Sequence, residues 1–213
     1  MTGYARRTLA FAFALTALAG YVDALGFLSL GGFFVSFMSG NSTRLGVGVG
    51  HLNSGQILLS VELLSMFLLG VITGFLIRQS KWSAHLLYLV TALLFVGALL
   101  DQMQLSRLGA VPMTIAMGSL NATFERNGDV GIGVTYVTGA LVKMGQRIAL
   151  ALTGGPRADW VPFFLLWLSL VVGAALGTVA FSHMGSRGLW FGFFYAVVLI
   201  PFSRVAHEPP PEG

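Results

Sequence analysis

Apolar residues run along this chain in long blocks separated by short polar stretches. Leu9–Leu30 holds one charged residue, Asp23, and Ile57–Ile77 holds one, Glu62. Trp82–Leu100, Leu108–Phe124 and Trp160–Ser182 hold none, and neither does the shorter Gly188–Ser203. A bilayer-spanning helix needs roughly 17–25 such residues. The pattern therefore predicts an all-α integral membrane protein with about six transmembrane helices. Two segments, 33–50 and 130–152, interrupt it. The first places Ser39, Gly40, Asn41, Ser42, Thr43 and Arg44 amid apolar sequence, and the second places Thr138, Gly139 and Lys143 there.

The interruptions are copies of one another. Val35-Ser36-Phe37-Met38-Ser39-Gly40 lies over Val134-Thr135-Tyr136-Val137-Thr138-Gly139 at an offset of 99, and Arg44-Leu45-Gly46 lies over Lys143-Met144-Gly145. Gly20 and Asp23 lie over Gly118 and Asn121 after a shift of one, and Gly70 and Gly74 over Gly173 and Gly177 at an offset of 103. Four ordered blocks divide the chain into two membrane repeats, 1–104 and 105–207, followed by a tail, 208–213, whose "EPPPEG" composition suits a disordered end.

Charge placement bears on whether the interrupted segments cross. If they do not, and the N-terminus is cytoplasmic, Arg6, Arg7, Arg78, Lys81, Arg126, Arg157 and Arg204 lie inside and Arg107 and Arg187 outside, seven against two. If both cross, the division is five against four. The positive-inside rule favours the first arrangement. Each repeat then contributes three crossings and one broken or re-entrant segment. The repeats are inverted, the broken segments enter from opposite sides, and both termini are cytoplasmic. Transporters of this plan hold their solute at the discontinuous elements.

Composition agrees with a membrane chain: 55% of the 213 residues are hydrophobic and 9% charged, where a soluble domain carries about 25%. The net charge of +4 is spread singly between apolar blocks, with no basic face for nucleic acid. There is no cysteine, which excludes disulfides and thiol chemistry, and the four histidines have no metal-ligand spacing. Arg6-Arg7 and the apolar stretch after them look like a signal peptide, but the run continues to Leu30, as an uncleaved first helix would. Gly46-x-Gly48-x-Gly50 lacks the spacing and preceding strand of a dinucleotide loop. The Gly70/Gly74 and Gly173/Gly177 pairs read as helix-packing faces, and Pro112 is expected to kink its helix.

A broken helix in lipid leaves backbone groups unpaired, each costing several kcal/mol, unless protein or a wet cavity receives them. The helix that restarts after the break points free N–H groups and a positive dipole at the gap. With Arg44 and Lys143 a turn further on, the site favours an anion such as phosphate, diphosphate or carboxylate. Its expected binding residues are Asp23, Ser39, Gly40, Asn41, Arg44, Asn121, Thr138, Gly139 and Lys143. Asp23, fifteen residues into the first span, is an acid where acids are expensive. It is expected either to pair with Arg44 or to bind a proton, cation or metal. Glu62 reads as a headgroup-reaching residue.

Gly20-Tyr21-Val22-Asp23-Ala24-Leu25-Gly26-Phe27, Phe34 through Asn41, Met117-Gly118 with Asn121-Ala122, and Thr135 through Gly139 together resemble the YoaK family. These are bacterial inner-membrane proteins grouped under a domain of unknown function. The resemblance covers nearly the whole chain. It departs at Ser39, where the family has Thr, at Ala140, where it tends to have Asn, and at Leu120, where it often has Gln. It implies an inner-membrane location and, as an alternative to transport, hydrolysis of diphosphate-containing substrates. An enzyme of that kind would call for a divalent metal such as Mg and for Asp23 as a catalytic residue. Only Asp23 and Glu62 lie clearly within spans, too few carboxylates for usual metal-dependent phosphate chemistry. The leading expectation is thus a small-solute transporter or channel-like protein in the lipid bilayer, taking a small anionic or phosphorylated solute. No cofactor is called for; a non-catalytic scaffold is the third reading.

Overall fold

The computed structural model describes residues 4–79, 85–126 and 129–207. Lys81 and the expected tail, 208–213, lie outside the described residues. The described residues form helices joined by turns and short extended stretches, with one antiparallel ribbon of two residues per strand, Glu125–Arg126 with Asp129–Val130. The helices are α1 (Arg6–Ser29), α2 (Met38–Gly50), α3 (Ser54–Gln79), α4 (Leu86–Gln102), α5 (Ser106–Leu120), α6 (Val137–Leu152), α7 (Val161–Met184) and α8 (Leu189–Leu199). Of these α1, α3 and α7 are long and apolar enough to cross a membrane, while α4 and residues 189–203 are shorter apolar helices. Both interrupted segments restart as helices after their breaks. α2, with 13 residues, is only about 20 Å long at 1.5 Å per residue, short of a hydrocarbon core of about 30 Å.

Local chemistry explains the boundaries. α1 ends at Leu30, and Gly31 and Gly32 then take φ of +65° and +94°, a reversal that a β-carbon would strain. The Gly32 N–H donates back to the Phe27 carbonyl at 2.7 Å and turns the chain toward the bundle. Pro112 sits buried inside α5, which continues helical on both sides of it. Pro162 falls in the first turn of α7, where its missing N–H has no intrahelical role.

The packing faces are those of the paired glycines. A β-carbon on Gly173 or Gly177 would fall on the carbonyl oxygen of Ala17 or Tyr21, and one on Gly20 on that of Leu170. α1 and α7 therefore touch backbone to backbone and run parallel, since 17 and 21 meet 173 and 177 in order. A second pair of helices meets in the same way. Gly70 lies on the Ile115 carbonyl, Gly74 on that of Ser119 and Gly118 on that of Phe67, so α3 and α5 also run parallel in close contact. Ser119 adds an interhelical bond, its hydroxyl donating to the Gly70 carbonyl at 3.0 Å. Lipid supplies little drive for apolar surfaces to meet, so this close approach is the main source of helix association.

Other contacts fix the remaining directions. The Trp190 indole donates to Gln102 Oε1 at 2.8 Å and Phe193 meets Phe95, so α8 is antiparallel to α4. Gly192 faces Tyr21 and the Tyr195 hydroxyl donates to the Ala14 carbonyl, so α8 is antiparallel to α1 as well. Phe11 packs edge-on against Phe124, bringing the start of α1 to the end of α5. Thus α1, α4 and α7 point one way and α3, α5 and α8 the other. Residues 30–53 leave and return at one end of the bundle, and residues 121–160 leave and return at the opposite end.

Candidate functional site

Each break is held by an oxygen from the helix before it. At the first, Asp23 Oδ1 accepts the N–H groups of Val35 at 2.9 Å and Ser36 at 2.7 Å. At the second, Asn121 Oδ1 accepts the N–H of Thr135 at 3.3 Å and its hydroxyl at 3.0 Å. Ser36 and Thr135 are the aligned residues of the two copies, and so are Asp23 and Asn121. Val35 and Val134, also aligned, are fully buried beside them. The local solution to a broken helix is the same twice, with the unpaired N–H groups of the extended turn received by the preceding helix.

Asn41 has no second copy. Its side chain is fully buried, its Nδ2 donates to the Phe34 carbonyl at 2.6 Å, and its Oδ1 accepts the Phe34 N–H at 3.0 Å. The first break is therefore gripped from both sides. Its aromatic groups close it further, because a β-carbon on Gly40 would strike the Phe37 and Phe34 rings. At the second break the aligned residue is Ala140, buried but unable to grip Gly133, the counterpart of Phe34.

The breaks face one another. Ser36–Ser39 and Thr135–Gly139 line a single cavity of about 370 Å³, with Phe67 and Val142 completing the wall. A cavity of about 510 Å³ adjoins it on the Asp23 side, lined by Asp23, Ser36, Thr135, Thr138 and apolar residues of α1 and α7. A third, of about 610 Å³, lies on the Ala140 side and holds Asn121, Gly139 and Lys143 among apolar walls that include Phe67 and Phe163.

Of the expected site residues, Asp23, Ser39, Asn121, Thr138, Gly139 and Lys143 thus line these cavities. Gly40 and Asn41 lie behind, in the packing that shapes the first break. Arg44 is turned away: its guanidinium sits 4.7 Å above the Phe33 ring and closes on Gly32, while its carbonyl accepts the Gln56 amide at 2.9 Å. No ion pair joins Asp23 to Arg44; the carboxylate is occupied by backbone N–H groups and the cation by an aromatic face.

Sequence reasoning passed over Ser36 and Thr135 as site residues, although their matching hydroxyls at the common offset were the signal. It also missed the partner of Glu62, whose Oε2 accepts Arg107 Nη2 at 2.9 Å and Nε at 3.3 Å. That pair is exposed, 55% for Arg107 and 26% for Glu62. Arg107→Gln is expected to change stability by less than about 1 kcal/mol, as exposed pairs do. A thermal-unfolding scan that showed the protein no longer folding would contradict this.

Residues 11–201 match a family described as "Protein of unknown function (DUF1275)". The chain is 36% identical over 191 residues to the UPF0700 transmembrane protein RA0705 of Rhizobium meliloti (strain 1021), covering 90% of this chain and 84% of that one. It is 31% identical over 154 residues to the UPF0700 transmembrane protein YoaK of Bacillus subtilis (strain 168), covering 68% of each. No solved structure matches. With the family match spanning most of the chain, and with long apolar helices like those of a transmembrane protein, this chain belongs to the DUF1275 family.

Proposed function

We propose that this protein is a small-solute transporter or channel-like protein whose central site, at the two breaks, favours anions. One observation carries the reading: the two breaks, nearly a hundred residues apart in sequence, line one cavity from opposite halves of the chain. Non-helical backbone at bilayer depth is tolerated where it lines a cavity, and paired discontinuous helices are where transporters bind. α2 and α6 both begin at this cavity, so the N–H groups of their first turns, which have no intrahelical acceptor, lie at its edge with the positive ends of both dipoles. Lys143 adds a cation on the Ala140 side. Phosphate, diphosphate or carboxylate is the chemistry this field suits.

The helix directions support three crossings per repeat, with the repeats inverted. They also support the charge division read from sequence. The chain positions of Arg6, Arg7, Arg78, Arg126, Arg157 and Arg204 fall at the end of the bundle where α1 starts, and Arg107 and Arg187 at the other. By the positive-inside rule the first end is cytoplasmic in an inner membrane. The hydrolase reading gains no such support: among the described residues no three His, Asp or Glu side chains come together to hold a metal.

Flux of phosphate and of small carboxylates into liposomes carrying the purified protein tests the reading. Thr138→Phe, which fills the space shared by two of the cavities, is expected to reduce flux to that of empty liposomes. Val179→Phe, on the exposed side of α7, should leave it unchanged. Equal flux in wild type and Thr138→Phe, or none above empty liposomes in any protein, would remove the central-site reading.

A further inference from the structure

Asp23 and Asn121 hold aligned turns with the same atom in the same way, yet only one of them is an acid. Asn121 shows that a neutral oxygen suffices to receive one N–H and one hydroxyl of such a turn, where Asp23 receives the N–H groups of two residues. A full negative charge at Asp23 is therefore more than the second break uses for the same purpose. A charged side chain at bilayer depth is costly, and such residues mark ion and proton pathways. Among the described residues no cation pairs with it, and Arg44 is turned onto Phe33. Among the described residues Asp23 is also the one acid lining the three central cavities, facing the space of about 510 Å³.

We propose that Asp23 is a proton-binding site, and that its protonation is coupled to the working cycle of the central cavity. The coupling rests on the transport reading above; proton binding itself does not. The step is a simple association: the carboxylate takes one proton from water entering the cavity and becomes a neutral carboxyl. Asn121 indicates how the protonated form is accommodated. Its Nδ2 donates to the Met117 carbonyl one turn back on α5, at 3.2 Å. The corresponding carbonyl on α1 is that of Ala19, and a protonated Asp23 can donate its O–H there while Oδ1 keeps the Val35 and Ser36 N–H groups. The protonated acid thus becomes the neutral, donor-and-acceptor group that the second repeat carries permanently.

The surroundings suit a proton rather than a larger cation. Besides Asp23 the cavity offers four hydroxyls, three of them committed: Thr135 donates to Asn121, Thr178 to the Ala174 carbonyl of its own helix, and Ser36 lies on the Asp23 carboxylate itself, which leaves Thr138. A metal cation wants about six or more converging oxygens, whereas a proton needs one. Among the described residues no other titratable group lines this space. α7 contributes Trp167, Leu170, Ala174 and Thr178, and α6 contributes Val137, Thr138 and Leu141. The phenol of Tyr21 on α1 is bonded to the Gly188 carbonyl at 2.7 Å.

The test is pH-difference infrared spectroscopy of the full chain reconstituted in lipid, with no solute present. A carbonyl-stretch band of a protonated carboxyl is expected to grow as pH falls, to vanish in Asp23→Asn and to persist in Glu62→Gln and Asp101→Asn. Asp23→Asn is expected to fold, because Asn121 already performs the same task. Should it not fold, Asp23→Glu is expected to displace the band. A band unchanged by Asp23→Asn or Asp23→Glu, or one that responds to Na⁺ and not to pH, overturns the inference. Flux separates it from the transport reading. An acid-outside gradient should drive accumulation in wild type, and only equilibration in Asp23→Asn. A band without flux of any solute would sink transport and leave the proton site; flux indifferent to pH with no band would do the reverse.

Discussion

Gly173→Val is expected to abolish the folded protein, leaving no monodisperse species on size exclusion in detergent. The argument is steric. The added carbon would occupy the position of the Ala17 carbonyl oxygen, with the Ala17 carbonyl carbon and α-carbon close behind. A flexible side chain could rotate aside, but helical backbone cannot, so α1 and α7 must separate along their whole contact. That contact is the most extensive between any two helices described. Overpacking in a well-packed core typically costs about 1–3 kcal/mol when side chains can adjust; a backbone-to-backbone obstruction exceeds that range. Gly46→Ala is the control. Nothing lies within 4 Å of a β-carbon there, and the residue sits in a helix. It should be neutral or stabilising by up to about 1 kcal/mol, the helix-propensity difference between the two residues. A Gly173→Val protein that elutes and melts like wild type would show that the α1–α7 approach does not hold the bundle.

The glycine faces were legible because their physics is local. Small residues four apart on an apolar helix admit a neighbouring backbone whichever helix supplies it, so Gly70/Gly74 and Gly173/Gly177 could be read as contact faces without knowing their partners. The two breaks and their correspondence were legible for a similar reason, since polar residues in a long apolar block stand out and recur at one offset. What the polar groups bond to was not legible. Asp23 and Arg44 pair on charge alone, yet the turn at Gly31 and Gly32 folds the chain so that backbone N–H groups reach the carboxylate first and the Phe33 ring lies under the guanidinium. Glu62 and Arg107 meet only because α3 and α5 pack closely enough to bring the start of one beside the other, a tertiary fact that no short window contains. Ala140 was visible as a departure from the family pattern. That it borders the largest of the three central cavities depends on what packs around it.

The contrast between Asn41 and Ala140 leads to the second large effect. Asn41→Asp is expected to destabilise the protein more than its near-identical shape suggests. The new carboxylate still accepts the Phe34 N–H, but it has no hydrogen to give the Phe34 carbonyl 2.6 Å from the present Nδ2. Two acceptors then face each other at a fully buried position. An unsatisfied buried group costs about 1–3 kcal/mol, and more when a charge is involved. For a chain of this size that corresponds to a fall in thermal midpoint of roughly 5–10 °C. Asn41→Ala leaves both Phe34 backbone groups unpaired and should fall by a comparable amount, whereas the second break already carries alanine at the aligned position, on the wall of a cavity. Ala140→Asn should therefore change the midpoint little, while narrowing the cavity beside Lys143. If Asn41→Asp and Ala140→Asn shifted the midpoint equally, the two breaks would be mechanically alike. A difference confined to Asn41 would mean that the chain keeps its first break locked by side-chain hydrogen bonds that its second break lacks.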